Sequence, residues 1–382
     1  MTQEAKQRIE HCLKTKETTL KLAHSDITDY AVLTNLTHVT HLTLPFNASN
    51  DLTPLSKLTK LTTLYLGSNH ITDISPLAQL TNLTTLSLAY NSIKDLTPLK
   101  ALKRLENINL RSNKITDIKP LEQLDALESI DLSRNSLSKL PDLDGLNKLI
   151  SLNLSANKIE DLTFLSPLTK LLTLDLNTNH ISDLKPLSNL IYLQSLDLSA
   201  NKITDVTSLA SATRLHELNL RDNQIVDVSA LLYLHENKAR FTYGNMNTNN
   251  RISLYNNPLD PALITAIKLT RKAVLEYFDA PTKVVVQKEV IQKGLKKWLE
   301  KEHTQKQYVA KISNPEDTDY QDILNFTHQL LDKADAIREK SGLRLFTRKD
   351  RYDLSKKIMD QVLALIPLVS VQSFNEENDA AL

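Results

Sequence analysis

Asparagine recurs in this chain at Asn47, Asn69, Asn91, Asn113, Asn135, Asn157, Asn179, Asn201 and Asn223, each 22 residues after the last. Ser25 holds the same phase one step earlier. A fixed period in this range means stacked supersecondary units, none of which can bury its apolar face alone. The apolar residues keep the same phase. Leu61, Leu64 and Leu66 precede Asn69 and Ile71 follows it, just as Leu171, Leu174 and Leu176 precede Asn179 and Ile181 follows. In each L-x-L pair both leucines point one way and their neighbours point the other, as on a strand. The asparagine falls where the chain turns inward. Its amide supplies a donor and an acceptor for backbone groups that a leucine would leave unpaired. The ladder is therefore scaffold, not a site.

A second column is also scaffold. Asp29, Asp51, Asp73, Asp95, Asp117, Asp161, Asp183, Asp205 and Asp227 lie four residues past the ladder phase. Pro54, Pro76, Pro98, Pro120 and Pro186 follow their aspartates by three. An aspartate cap followed by proline in the first turn starts a short helix or 3₁₀ turn. One copy departs: Lys139 replaces the aspartate and Pro141 precedes Asp142, so an irregular turn is expected there.

The full unit reads L-x-x-L-x-L-x-x-N-x-I-x-D-L-x-P-L-x-x-L-x-x, in register over about residues 17–260. This resembles the leucine-rich repeat in its 22-residue form, which internalins and the regulatory subunit of protein phosphatase 1 carry. The resemblance implies an α/β solenoid, with a parallel β-sheet on the concave side and short 3₁₀ or helical turns on the convex side.

Composition narrows the function classes. Among 382 residues, Lys+Arg 46 against Asp+Glu 45 gives no field to attract nucleic acid in bulk. The single cysteine, Cys12, excludes an internal disulfide framework. No run of 18 apolar residues exists, and MTQEAKQRIEHCLK holds no apolar core of signal-peptide length. The phosphate-loop, H-E-x-x-H and C-x-x-C patterns are missing, so no cofactor or metal is expected and no catalytic residue is assigned. Bacterial leucine-rich-repeat ubiquitin ligases need a C-terminal nucleophilic cysteine, which this chain lacks.

The flanks divide further. Residues 1–16 are expected to form an N-terminal capping helix, with Ile9, Cys12, Leu13 and Leu20 near helical spacing. The ladder step after Asn223 is delayed to Asn257, so 12 extra residues lie somewhere in 233–250. Residues 261–280 are expected as a closing helix, begun by Asp260 and Pro261, with Leu263, Ile267 and Val274 on one face. Residues 284–370 show three apolar stripes separated by Asn314-Pro315 and Ser341-Gly342, a C-terminal α-helical bundle. Its charge is banded, with eight basic residues against three acidic in 283–311. One reading pairs neighbouring helices; another directs Lys293, Lys296 and Lys297 at acidic lipid or acidic protein. Residues 371–382 are polar and are expected to form a disordered tail.

The remaining surface is the concave face, where five positions per repeat meet solvent. The early copies give Phe46, Tyr65 and Tyr90. The middle ones give Glu106, Arg111, Glu128, Asp131 and Arg134, and the later ones Asp175, Asp197, Glu217, Arg221 and Asp222. Exposed aromatics and arginines are favoured anchors at protein interfaces. Asp131, Asn153, Asp175, Asp197 and Asn219 form a mildly acidic column. These residues either bind a basic or mixed protein surface or merely keep the face soluble.

The expected function is therefore non-enzymatic binding of a protein on the concave face, by a monomer, without nucleic acid. SFNEENDAAL looks like the acidic, small-residue tails of type IV-secreted effectors of intracellular bacteria. This implies a cytoplasmic protein translocated into host cytosol without a classical signal peptide, acting on a host protein. Two other readings stand beside it: a regulatory scaffold of an enzyme such as a phosphatase, and an effector whose helical module carries an unrecognised activity.

Overall fold

The structure, a computed structural model, describes residues 1–237, 239–243 and 251–279. Its solenoid unit runs over Met1–Arg271. Each repeat adds one three-residue strand to a single parallel sheet: β1 Thr19–Lys21, β2 His41–Thr43, β3 Thr63–Tyr65, β4 Thr85–Ser87, β5 Asn107–Asn109, β6 Ser129–Asp131, β7 Ser151–Asn153, β8 Thr173–Asp175, β9 Ser195–Asp197 and β10 Glu217–Asn219. Equivalent residues face each other in strict register, as in Leu64↔Leu86 and Asn153↔Asp175. Past each strand the backbone ladder continues, for example from Leu66 N–H to Ser87 O at 2.8 Å and from Leu88 N–H to Asn109 O at 2.8 Å. The middle residue of every strand points inward, so Leu42, Leu64, Leu86 and their equivalents form one continuous buried row. Ile71, Ile74, Leu77, Leu80 and Leu83 complete one repeat's share of the core. Each fully buried leucine contributes about 2 kcal/mol.

The asparagines lock consecutive repeats together. Asn135 donates through Nδ2 to Leu110 O and Leu132 O, both at 3.0 Å, and to Ser133 O at 3.3 Å. Its Oδ1 accepts Ile115 N–H at 3.0 Å. One side chain thus serves four backbone groups in two repeats. The same pattern recurs from Asn47 to Asn223 and is taken up again by Asn257.

On the convex side the aspartates start 3₁₀ turns, including Thr53–Lys57, Ser75–Gln79, Thr97–Ala101 and Lys185–Asn189. Each carboxylate accepts the backbone N–H two residues on, at 2.8 Å for Asp51, Asp73 and Asp95. Side-chain and backbone hydrogen bonds from Ser75 and Thr97 hold the Asp73 and Asp95 carboxyls below the usual range. The copy containing Lys139 has no 3₁₀ turn between Leu121 and Thr163. There Gly145 passes so close to the preceding repeat that a Cβ would lie 2.1 Å from Glu122 O. Only glycine permits this approach.

The inserted stretch is more than a loop. It contains α2 (Leu232–Asn237) and a strand, β11 (Arg240–Thr242). The chain then returns with β12 (Arg251–Ser253), which pairs with β10 on one side and β11 on the other. Sheet order therefore departs from chain order at this one place. His235 on α2 is buried, accepts Phe241 N–H through Nδ1 at 3.0 Å and packs its ring 4.3 Å from that of Phe241. Burial, with further lowering by Arg271 and Arg240, takes its pKa down to about 4.

At the other end, α1 (Gln3–Thr15) is capped by Thr2 and buries Ala5, Ile9 and Cys12 beside β1. The segment expected as one closing helix is two, α3 (Pro261–Leu269) and α4 (Arg271–Asp279), parted where Thr270 takes an extended conformation. A shared apolar spacing cannot reveal a break of one residue. No helix among the described residues is long and apolar enough to cross a membrane. The bundle expected over 284–370, with Lys293, Lys296 and Lys297, and the tail over 371–382 lie outside the described residues.

Candidate protein-binding face

The outward positions of the strands put the sequence-derived candidates into columns. Tyr65, Ser87, Asn109, Asp131, Asn153, Asp175, Asp197 and Asn219 stand side by side on β3 to β10. Glu106 and Glu128 are neighbours just before β5 and β6, joined through Glu128 N–H to Glu106 O at 2.8 Å. Glu217 begins β10 and accepts from Ser195 Oγ at 3.3 Å. Phe46, Tyr90 and Arg134 lie in a further column, just before the ladder asparagines, and all three are exposed. These residues form a long open face, not a pocket.

The acidic column has a double role that its spacing alone does not show. Asp131 Oδ1 accepts Ser133 N–H at 2.9 Å and Ser133 Oγ–H at 2.6 Å. Asp197 does the same with Ser199, and Asn153 with Ser155. Asp175 accepts Asn177 N–H at 3.0 Å. Each side chain thus closes a small turn behind its strand, a local habit of Asp and Asn. The D-x-S and N-x-S spacings carried this signal in the sequence. Yet amides serve the turn as well as carboxylates do, so three charges are present beyond the structural need. None of them forms an ion pair among the described residues. Burial raises the Asp175 carboxyl pKa, and the neighbouring Asp197 and the more distant Asp131 add to the rise.

The aromatic residues are held in place. The His24 ring stacks on Phe46 with centroids 4.3 Å apart and planes at 9°. The Arg111 guanidinium lies 5.9 Å from the Tyr90 ring centroid and donates to the Tyr90 hydroxyl. Toward the other end, Arg221 lies over Tyr255 at 5.2 Å. A separate surface cleft between α1 and β1 is lined by Glu4, Arg8, His11, Glu17 and Lys21. Arg8 pairs with Glu4 there at 2.7 Å, and the His11 ring lies within hydrogen-bond distance of the Glu17 carboxylate at 3.2 Å.

Comparison with known proteins bears on this architecture. A family model described as leucine-rich repeats (2 copies) matches residues 59–101, 103–148 and 192–233. The chain is similar to an internalin, InlF, from Listeria monocytogenes, at 28% identity over 68% of this chain and 91% of that one, with a TM-score of 0.56. Internalin C2 of the same organism shares 28% identity over 66% of this chain and 91% of its own, with a TM-score of 0.40. The functional domain of InlJ, also from Listeria monocytogenes, shares 20% over 65% and 56%, with a TM-score of 0.48. Comparison with curated proteins gives no match. The solenoid has the leucine-rich-repeat fold and is similar to that of an internalin. Solenoids of this class are protein-interaction modules, and their internalin-like relatives are typically non-enzymatic.

Proposed function

We propose that the chain binds a protein partner on its concave face, as a bacterial effector acting on a host protein in host cytosol. The observation that carries the binding reading is the row of Asp131, Asp175 and Asp197. Among the described residues these partly buried carboxylates have no cation paired with them, Asp175 beside Asp197 and Asp131 one amide further along, although amides at Asn153 and Asn219 serve the same kind of turn. Charge kept where the fold does not need it favours a binding role, and a cationic partner would relieve it. About ten strands at ~4.8 Å span roughly 50 Å, enough for the ~800 Å² per partner of an ordinary specific interface. The effector reading rests on the internalin-like repeats and the polar tail. Lys293, Lys296 and Lys297 supply a secondary contact to acidic lipid or protein.

The test is capture from host lysate by the full chain. Asp131→Asn, Asp175→Asn and Asp197→Asn together keep the turn acceptors and remove the charges, so the partner should be lost while circular dichroism stays the same. Changing Lys293, Lys296 and Lys297 to Glu should spare capture. Loss only in the lysine variant would move the principal site to the C-terminal module.

A further inference from the structure

The column just before the ladder asparagines takes a left-handed backbone in every repeat. φ is 50° at His24, 58° at Phe46, 55° at Ser68, 57° at Tyr90, 54° at Ser112, 56° at Arg134 and 54° at Ala156. This region costs any residue with a Cβ about 1–2 kcal/mol and is rarest for bulky ones, while smaller residues stand at Ser68, Ser112 and Ala156. Phe46, Tyr90 and Arg134 nevertheless occupy every second repeat and project into solvent. At ~4.8 Å per strand they stand about 9.6 Å apart, with gaps at Ser68 and Ser112. The His24 stack on Phe46 and the Arg111 contact to Tyr90 fix both aromatics before any partner arrives. Such pre-organisation lowers the ordering cost of binding.

A partner lying along this row has to match its pitch. An α-helix repeats every 5.4 Å. Two residues of an extended strand cover about 6.7 Å. One turn of polyproline II, three residues at ~3.1 Å, covers about 9.3 Å and fits one gap per turn. Exposed aromatic rings are also the surface on which proline-rich segments dock. Beyond Arg134 the row falls to Ala156, Thr178 and Ala200, which leaves the adjoining Asp131, Asp175 and Asp197 open to a cationic continuation.

We propose that this face binds a proline-rich protein segment in the polyproline II conformation. The segment seats among Phe46, Tyr90 and Arg134 and runs into basic residues over Asp131, Asp175 and Asp197. This rests on the concave-face reading and names its partner's chemistry.

The test is fluorescence anisotropy of the full chain with a labelled peptide of three Pro-Pro-Leu triplets followed by three arginines. It should bind at least about tenfold tighter than the Gly-Gly-Leu counterpart and than the arginines on an unstructured Gly-Ser spacer. Tyr90→Ala should weaken it about tenfold. Ser68→Tyr should do the same by filling a gap, in a backbone conformation where Tyr90 already shows tyrosine to be accommodated. Equal binding of the glycine or arginine peptide overturns the proposal, as does unchanged affinity in Ser68→Tyr. A host protein captured through the Asp131–Asp197 column that does not compete with the peptide also overturns it, while leaving the concave-face reading intact.

Discussion

Arg111 Nε donates to the Tyr90 hydroxyl across adjacent repeats at 3.0 Å, with Nη1 reaching Ser133 Oγ at 3.2 Å. One guanidinium therefore joins three successive repeats on the exposed side of the sheet. A double-mutant cycle of Tyr90→Ala and Arg111→Ala, read by urea denaturation, should give a coupling of about 0.5–1 kcal/mol, as expected for a solvent-facing cation–π and hydrogen-bonded pair. A coupling of zero would mean that the contact holds neither group in place.

The ladder side chains should behave quite differently. Asn135→Ala leaves Ile115 N–H and the carbonyls of Leu110 and Leu132 without their amide partner. It should cost roughly 1–3 kcal/mol, against about 0.5 kcal/mol or less for Arg134→Ala next to it in sequence. Thermal melts of the two variants measure the difference.

Asp175 should be replaceable with a gain in stability. Burial raises its carboxyl pKa, so the ionised form opposes folding at neutral pH. Asp175→Asn keeps an oxygen for Asn177 N–H and removes the charge, so its urea midpoint at pH 7 should exceed that of the parent. A folded-state pKa above the unfolded one means that the parent gains stability as pH falls, and the difference should shrink on acidification. A midpoint below the parent's at pH 7 would show that the carboxylate contributes more to the turn than burial costs it.

His235 sets an acid limit on the C-terminal end of the solenoid. Its folded pKa of about 4 lies below the ordinary 6.5, so the unfolded chain takes up the proton first. Its contribution is fully present above pH 6.5 and is lost as pH falls toward 4, up to about 3 kcal/mol in all. Hydrogen exchange of Phe241 N–H, which His235 accepts, should accelerate over that window relative to its intrinsic rate, and His235→Asn should flatten the dependence. Protection of Phe241 that is independent of pH would count against the assignment.

Much of this molecule is legible from residue order, because one repeated unit states its own geometry many times. Leu64 and Leu66 reveal the inward face, Asn69 the turn and Asp73 the convex cap, and Tyr65, Asp131 and Asp175 follow as outward-facing by alternation. Three features resist such reading. The turn-closing bonds of Asp131 and Asp197 are marked only by a faint D-x-S spacing, while alternation marks these carboxylates simply as solvent-facing. The left-handed column hides because side-chain type does not report φ: Phe46, Ser68 and Ala156 share one backbone state. The position of β11 outside β12 depends on a reversal of strand order that apolar periodicity cannot encode.

That reversal has a consequence for synthesis. From β1 to β10, each strand leaving the ribosome finds its docking edge already formed, so the array is able to grow in the order in which it is translated. At β11 this ceases: the edge to which it pairs belongs to β12, which has not yet been made. The residues from Arg240 to Thr242 must wait, unpaired, until Arg251–Ser253 emerge and settle against β10. The last two strands therefore join in reverse order, β12 before β11, and a nascent chain halted before Ser253 carries an open sheet edge at β10.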